Sequence, residues 1–455
     1  MKKVCIGSGS GFWGDLLEPA LEMAERSDVQ YIGFDHLAEL TMAILNRMKT
    51  KNPELGYIQD IIPWMKKLLP ITVPKGIKTI TNAGGANPLQ AAKEVEKIIQ
   101  DLKLGPMKIG VVYGDDILPY IDEIRTQGWK FKNLDTGEED IERIRKDIVA
   151  ANAYIGADLI IEELEKGANL VITGRVSDNA LYVGPLMYEF GWDYSEKYID
   201  RIAAAVTVGH IIECSACVTG GMSNMWQVSE RPWEIGFPIA EFYENGEAVI
   251  TKTQGSGGIV NPWTVKEHLL YEIMDPANYM MPDGIADFTA LHLIEEGMNR
   301  VRVTNMKGKK RPDTLKVCIG YRDGFIGEGL AFFPWPDALE KAKWAEQWVR
   351  ERFKRLQFKF EELRIDYVGV NMLHGEAAPI EDKDFNEVGL RIAAKTKTRE
   401  EAEVVRREAT HLWTMGPIGV SFGIPLDVRP VVALWPSLVP RETVKVGSQM
   451  MEVNR

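Results

Sequence analysis

The chain has 455 residues, 45% hydrophobic, 26% charged and 9% aromatic, with a formal net charge of −12 from 66 acidic and 54 basic residues. That is the composition of a globular protein of two or three domains. The acidic balance argues against a general nucleic-acid binder, and no stretch approaches the about 20 apolar residues of a membrane span. Four cysteines (Cys5, Cys214, Cys217, Cys318) are too few for a disulfide framework. The N-terminus has two lysines but no long apolar run, so no signal peptide is expected and the location reads as cytoplasmic.

The first half alternates short apolar runs with helical stretches, the pattern of a parallel α/β sheet. Residues 4–6, 31–34, 79–81, 108–113 and 170–173 read as five successive strands. Helices are expected at 15–26, 88–102 and 138–165, long enough for right-handed crossovers. In the second half, residues 314–321 and 327–333 flank Arg322-Asp323-Gly324 and predict a hairpin. A long amphipathic helix over 338–363 follows, then strands at 365–371 and 388–394. A last helix runs from Thr398 to about Leu412, with Thr398 and Glu401 spaced as a capping box. The fold class is α/β: a Rossmann-like parallel sheet with flanking helices over 1–225, then an α+β domain with a ββαββα segment over 226–455.

Ligands of open parallel sheets bind outside the carboxyl ends of the strands, so the loop after each strand is the informative one. The first is Gly7-Ser8-Gly9-Ser10-Gly11-Phe12-Trp13-Gly14-Asp15, and the second begins Asp35-His36. The third is Asn82-Ala83-Gly84-Gly85-Ala86-Asn87-Pro88, the fourth Gly114-Asp115-Asp116, and the fifth Gly174-Arg175-Val176-Ser177-Asp178. Five loops rich in small and polar residues point to a crevice of backbone amides, carboxylates and one arginine.

Gly9-x-Gly11-x-x-Gly14 with Asp35 matches the dinucleotide fingerprint, but Asp15 beside the turn would repel a pyrophosphate unless turned away. Nicotinamide binding, a grip on another anion and a plain tight turn all stay open. Asp115-Asp116 reads as a divalent-metal ligand pair, a general base, or a helix cap. Arg175 is placed to hold a substrate carboxylate through two parallel hydrogen bonds, or to pair with Asp178. His210 stands four residues before Cys214, which allows a Cys–His pair on one helix face or a buried structural thiol. Cys214-x-x-Cys217 has no second ligand pair at zinc spacing. His374, in Asn371-Met372-Leu373-His374, is the acid or base candidate of the second half. The glycine run 254–258 reads as a lid, a phosphate contact or a surface turn. P-loop, nucleophile-elbow and kinase motifs are absent.

Several strings together resemble the acyclic terpene utilisation A family: Ser10-Gly11-Phe12-Trp13-Gly14-Asp15, FDHLAELTMAIL (34–45), TNAGGANP (81–88) and TGRVSD (173–178). Glu213-Cys214 with Thr219-Gly220-Gly221, GFPIA (236–240), TLKVCIGYRD (314–323), residues 371–375 and Gly416-Pro417 extend the resemblance over nearly the whole chain. Cys217 departs from the usual motif, which argues against a redox or zinc pair. The resemblance implies catabolism of citronellol and related branched acyclic acids through CoA thioesters. It also implies a ferredoxin-fold domain that longer members carry at the C-terminus and this chain lacks, so a separate small subunit is expected to supply it.

The resulting expectation is a lyase, of hydratase or dehydratase type, acting on a small branched hydroxy-acid or its CoA thioester. Arg175 and the amides of the first and third loops would bind the carboxylate or thioester oxygen, Asp35, Asp115 or Asp116 would remove or deliver a proton, and His374 is the alternative acid or base. Ser8, Ser10, Gly11, Asn82, Gly84, Gly85, Asn87, Ser177, Asp178, Cys214 and Asn371 would bind substrate. A divalent metal such as Mg²⁺, or CoA as part of the substrate, is the open cofactor question. A homo-oligomer is expected, with neither nucleic acid nor membrane as partner. The alternatives are an NAD(P)-dependent oxidoreductase and a subunit active only with its small partner.

Overall fold

The computed structural model describes residues 1–379, 383–423 and 426–454. It divides into two compact units, one of residues 1–320 with 434–455 and one of residues 321–433. No helix among the described residues is long and apolar enough to cross a membrane.

The first unit is built on a ten-stranded mixed sheet. Its middle is five parallel strands: Lys3–Ser10, Tyr31–Phe34, Lys78–Thr81, Met107–Tyr113 and Leu170–Thr173, the five expected from sequence. In space the fifth lies between the third and the fourth. Antiparallel strands extend both sides: Pro238–Tyr243, Ala248–Lys252, Arg300–Thr304 and His292–Gly297 beyond the first strand, and Gly447–Val453 beyond the fourth. This order departs from the Rossmann arrangement, where the first strand has parallel neighbours on both sides. What holds is a large mixed sheet with flanking helices.

Helices Glu18–Arg26, Ile61–Lys75 and Pro88–Leu102 cover one core, where Met23, Met65, Leu68, Val95 and Ile99 meet Ile32, Phe34, Ile109 and Ile172. Each such side chain contributes about 1.5–3 kcal/mol by leaving water. Helix Ile199–Glu213 is buried at every residue from Ile202 onward, so it has no polar face to read from the sequence. The helix expected at 138–165 is corrected. Residues 148–153 form a strand, Ile148–Ala153, that pairs with the long strand Thr314–Pro334, and only Asp158–Glu165 is helical. Ala, Val and Asn in that run suit either state, and the partner strand decides.

The second unit runs strand, helix, strand, strand, helix, strand. Residues 325–334 of the long strand pair with Glu387–Thr396 and, on the other side, with Ser421–Phe422, while Glu362–Val368 pairs with Glu387–Thr396. That is the split βαβ order of ferredoxin-like folds, so the chain itself contains one unit of that topology, within 321–433, which corrects the expectation that it carries no ferredoxin-like domain. Helices Ala338–Arg355 and Arg399–Met415 pack on the sheet through Ala342, Ala345, Val349, Val405, Ala409 and Leu412. A Cβ on Gly329 would stand 2.1 Å from the Cβ of Ala409, so glycine lets the helix approach this closely.

The expected hairpin at 322–324 is also corrected: Thr314–Pro334 is one continuous strand. Gly324 takes φ +80°, and a Cβ there would lie 2.2 Å from the Thr396 carbonyl oxygen, so the glycine serves a close backbone approach instead of a turn. A division at residue 225 does not coincide with the compact units, because strand Pro238–Tyr243 completes the first sheet beside Lys3–Ser10. The capping box at Thr398 forms as expected.

Candidate functional site

Arg175 follows the fifth strand and is buried, with 1% of its surface exposed. Its Nη1 donates to the Leu37 carbonyl at 2.6 Å and lies 2.9 Å from Asp178 Oδ1, while the guanidinium covers the Tyr154 ring at 4.0 Å. The loop after the second strand thus closes on the loop after the fifth. Asp35 accepts from Asn82 Nδ2 at 2.5 Å and from the Leu37 amide at 3.2 Å. Burial pushes the Asp35 carboxyl well above the usual range, Asp178 adds to the rise, and Arg175 opposes it. Burial also works against the charge on Arg175, but Asp178, Tyr154, Asp35 and Glu39 hold it protonated.

Asp115 stands on the backbone side of Arg175. It accepts from Asn152 Nδ2 at 2.8 Å and from the Arg175 amide. Burial lifts its pKa to about 6 despite those bonds. A Cβ on Gly174 would lie 2.2 Å from Asp115 Oδ1, so the glycine makes room for this carboxylate.

Polar atoms near Arg175 are left without partners. Arg175 Nε, the Tyr154 hydroxyl, Asn179 Nδ2 and Glu213 Oε2 are all buried and make no hydrogen bond. Each such atom costs about 1–3 kcal/mol. A buried cluster of that kind calls for an explanation, and a binding or catalytic role is one.

Other expected site residues have structural duties. Asp116 accepts from the Leu118 amide at 3.0 Å, as a cap, and is exposed. The glycine fingerprint does not form a phosphate cradle. Gly7 and Gly9 lie inside the first strand, where a Cβ on Gly9 would press on the Phe34 ring at 2.3 Å. The Gly11 amide is already taken by Asp15 Oδ2 at 2.8 Å, and Ser215 Oγ donates to the same oxygen at 2.7 Å. Ser10 Oγ donates to the Asp35 carbonyl, and Ser8 Oγ receives the Tyr182 hydroxyl. Asn87 Nδ2 holds the carbonyls of Pro53 and Leu55, both at 2.9 Å. A Cβ on Gly84 would stand 2.5 Å from the Thr173 carbonyl oxygen, and Gly85 takes φ +50°. Ser177 Oγ donates to Asn179 Oδ1. In the second unit, Asn371 Oδ1 accepts from the Tyr367 amide at 2.7 Å, and His374 is exposed on a turn.

The Cys–His pair is not made either. His210 Nδ1 faces Glu213 Oε1 at 3.0 Å, while Cys214 Sγ contacts the Tyr271 hydroxyl at 3.4 Å. Burial drives the Cys214 thiol up, which makes it a poor nucleophile. All four cysteines are free. Sequence reasoning missed Asn152, Tyr154 and Glu213 as members of the site. Asn152 and Tyr154 sat in a segment read as helix, and the usable signal was a polar residue within the strand-like run Ile148–Ala153.

No curated protein and no solved structure matches the chain. One family model, described as "Acyclic terpene utilisation family protein AtuA", matches residues 4–450. The matched span includes the FDHLAEL and TGRVSD loops that meet at Arg175, and with nearly the whole chain matched the protein belongs to the acyclic terpene utilisation family of AtuA.

Proposed function

We propose that the first unit is a hydro-lyase for a small branched hydroxy-acid or its CoA thioester. The observation that carries this reading is the set of orphaned donors and acceptors around Arg175, next to carboxyls whose pKa values burial has raised. A hydroxy-acid offers both a carboxylate, which accepts, and a hydroxyl, which donates. In this reading Arg175 Nε and Asn179 Nδ2 hold the carboxylate or thioester oxygen. Asp115, with a pKa of about 6, is suited to take the proton from the carbon next to that carbonyl. Asp35, kept protonated by burial, supplies a proton to the departing hydroxyl, which leaves as water while the carbon–carbon double bond forms. Fixed donors at the developing enolate lower such barriers by about 3–4 kcal/mol each.

Thermal melting of the full chain against hydroxy-acids, CoA, branched acyl-CoAs and NAD(P)(H) tests the reading. A ligand at about 100 times its Kd adds about 2.7 kcal/mol. Hydroxy-acids or their CoA esters should raise Tm in the native chain and leave Arg175→Ala unmoved. A rise with nicotinamides alone overturns the proposal.

A further inference from the structure

We propose that His210, Glu213 and Glu272 form a binding site for a first-row divalent cation such as Zn²⁺ or Mn²⁺, at the C-terminal end of helix Ile199–Glu213. One donor atom from each residue lies within 4.8 Å of the other two. Bonds of about 2.0–2.2 Å in a tetrahedral site set donors roughly 3.3 Å apart, so the three need to draw in by about 1.5 Å at most. Glu272 is exposed, so the movement falls to it, while His210 and Glu213 are buried.

The hydrogen bonding of His210 asks for a positive charge at this point. Its Nε2 lies 3.2 Å from the Leu269 carbonyl oxygen, which can only accept, so Nε2 carries the proton. In the neutral ring Nδ1 then presents a lone pair, and its nearest neighbour, at 3.0 Å, is Glu213 Oε1. The Tyr279 hydroxyl stands farther off, at 3.4 Å from Nδ1. Two acceptors as close as Nδ1 and Oε1 are bridged by a proton or by a cation. The second oxygen of the same carboxylate, Glu213 Oε2, is buried with no partner at all. A divalent cation offsets the burial of this carboxylate more fully than a single shared proton does.

The surroundings agree. Metal-bound imidazoles usually donate their other N–H to a carbonyl or carboxylate, as His210 does to Leu269. The Tyr271 hydroxyl bonds Glu272 and touches Cys214 Sγ, which orients the third ligand. His210 and Glu213 occupy the last turn of their helix, where the backbone dipole favours a cation. A cavity of about 590 Å³, lined by Ser223, Asn224 and Glu267, is also walled by two neighbours of the cluster: His268, which stacks on His210 at 5.6 Å, and Tyr271. One imidazole with two carboxylates selects first-row metals over Mg²⁺ and Ca²⁺, which prefer oxygen alone. Three protein ligands leave a position open for water or a small oxygen ligand.

The site shares Glu213 with the groups around Arg175, but its test needs no substrate and so stands or falls apart from the hydro-lyase reading. The untagged full chain is stripped with a chelator, then titrated with Zn²⁺ and Mn²⁺ by calorimetry; with Co²⁺, visible absorption reports coordination. One equivalent per chain is expected. Glu272→Gln, at an exposed position that folding tolerates, should weaken binding at least tenfold, and His210→Asn should do the same. Glu267→Gln, on the cavity wall, should bind as the native chain does. No binding by the native chain at millimolar metal overturns the proposal, and so does unchanged affinity in Glu272→Gln.

Discussion

The two units handle buried charge in opposite ways. In the second unit, Glu328 is held by Arg391 and Arg429, Asp366 by Arg364 and Arg391, and Glu408 by Arg352 at 2.7 and 3.2 Å. In the first unit, buried Asp35 shares Arg175 with Asp178 and Glu39, which are part-exposed and are both drawn on by Lys316 as well. Among the described residues, every buried side-chain polar atom without a hydrogen bond belongs to the first unit. A buried carboxylate with an arginine on each side is structural, since its desolvation is offset in place. One that shares a single guanidinium with other acids is held in an unfavourable state, and such states persist where chemistry or binding needs them.

The contrast is sharpest in a pair of arginine variants. Removing Arg175 leaves buried Asp35 without its cation and the Leu37 carbonyl without its donor, so Arg175→Ala should cost about 3–5 kcal/mol in urea unfolding. Arg429→Ala leaves Arg391 on Glu328 and removes a mostly exposed partner, so it should cost under about 1 kcal/mol. Equal losses would erase the distinction between the units.

Asp115→Asn isolates the unfavourable ionisation. Asp115 titrates at about 6 in the folded chain, against about 3.9 unfolded. Its raised pKa favours folding fully below pH 4, and that contribution is lost as pH rises through 6. Asparagine does not titrate. The variant should therefore gain about 1.5 kcal/mol on the native chain between pH 5 and pH 7.5, read as the difference of two denaturation midpoints. A pH-independent difference would mean that Asp115 ionises as it does in water.

The smallest expected effect is local to the second unit. Thr398 Oγ1 accepts from the Glu401 amide at 3.2 Å, and Glu401 Oε2 accepts from the Thr398 amide at 3.1 Å. Thr398→Ala should cost about 1 kcal/mol. Far-ultraviolet circular dichroism at 25 °C should stay unchanged, because the helix is also fixed by Val405, Ala409 and Leu412.

Much of this was legible in the chain. The five parallel strands, helix Pro88–Leu102 and the capping box at Thr398 come from local apolar period and end chemistry. The loops that meet at Arg175 were marked by the small and polar residues at the carboxyl end of each strand. Pairing could not be read. The run Ile148–Ala153 is a strand because Thr314–Pro334 lies beside it, and Asp323-Gly324 is strand because Glu387–Thr396 passes so close. The glycines of the first loop looked like a phosphate cradle, yet Gly9 is small for the Phe34 ring and the Gly11 amide is spent on Asp15. The sequence by itself determined which residue types gather at the carboxyl ends of the strands, because strand and helix signals are local. Only the tertiary structure decided which polar groups there are satisfied and which are left over, because hydrogen-bond partners such as Arg175 and Leu37, 138 residues apart, are chosen by the packing of whole elements.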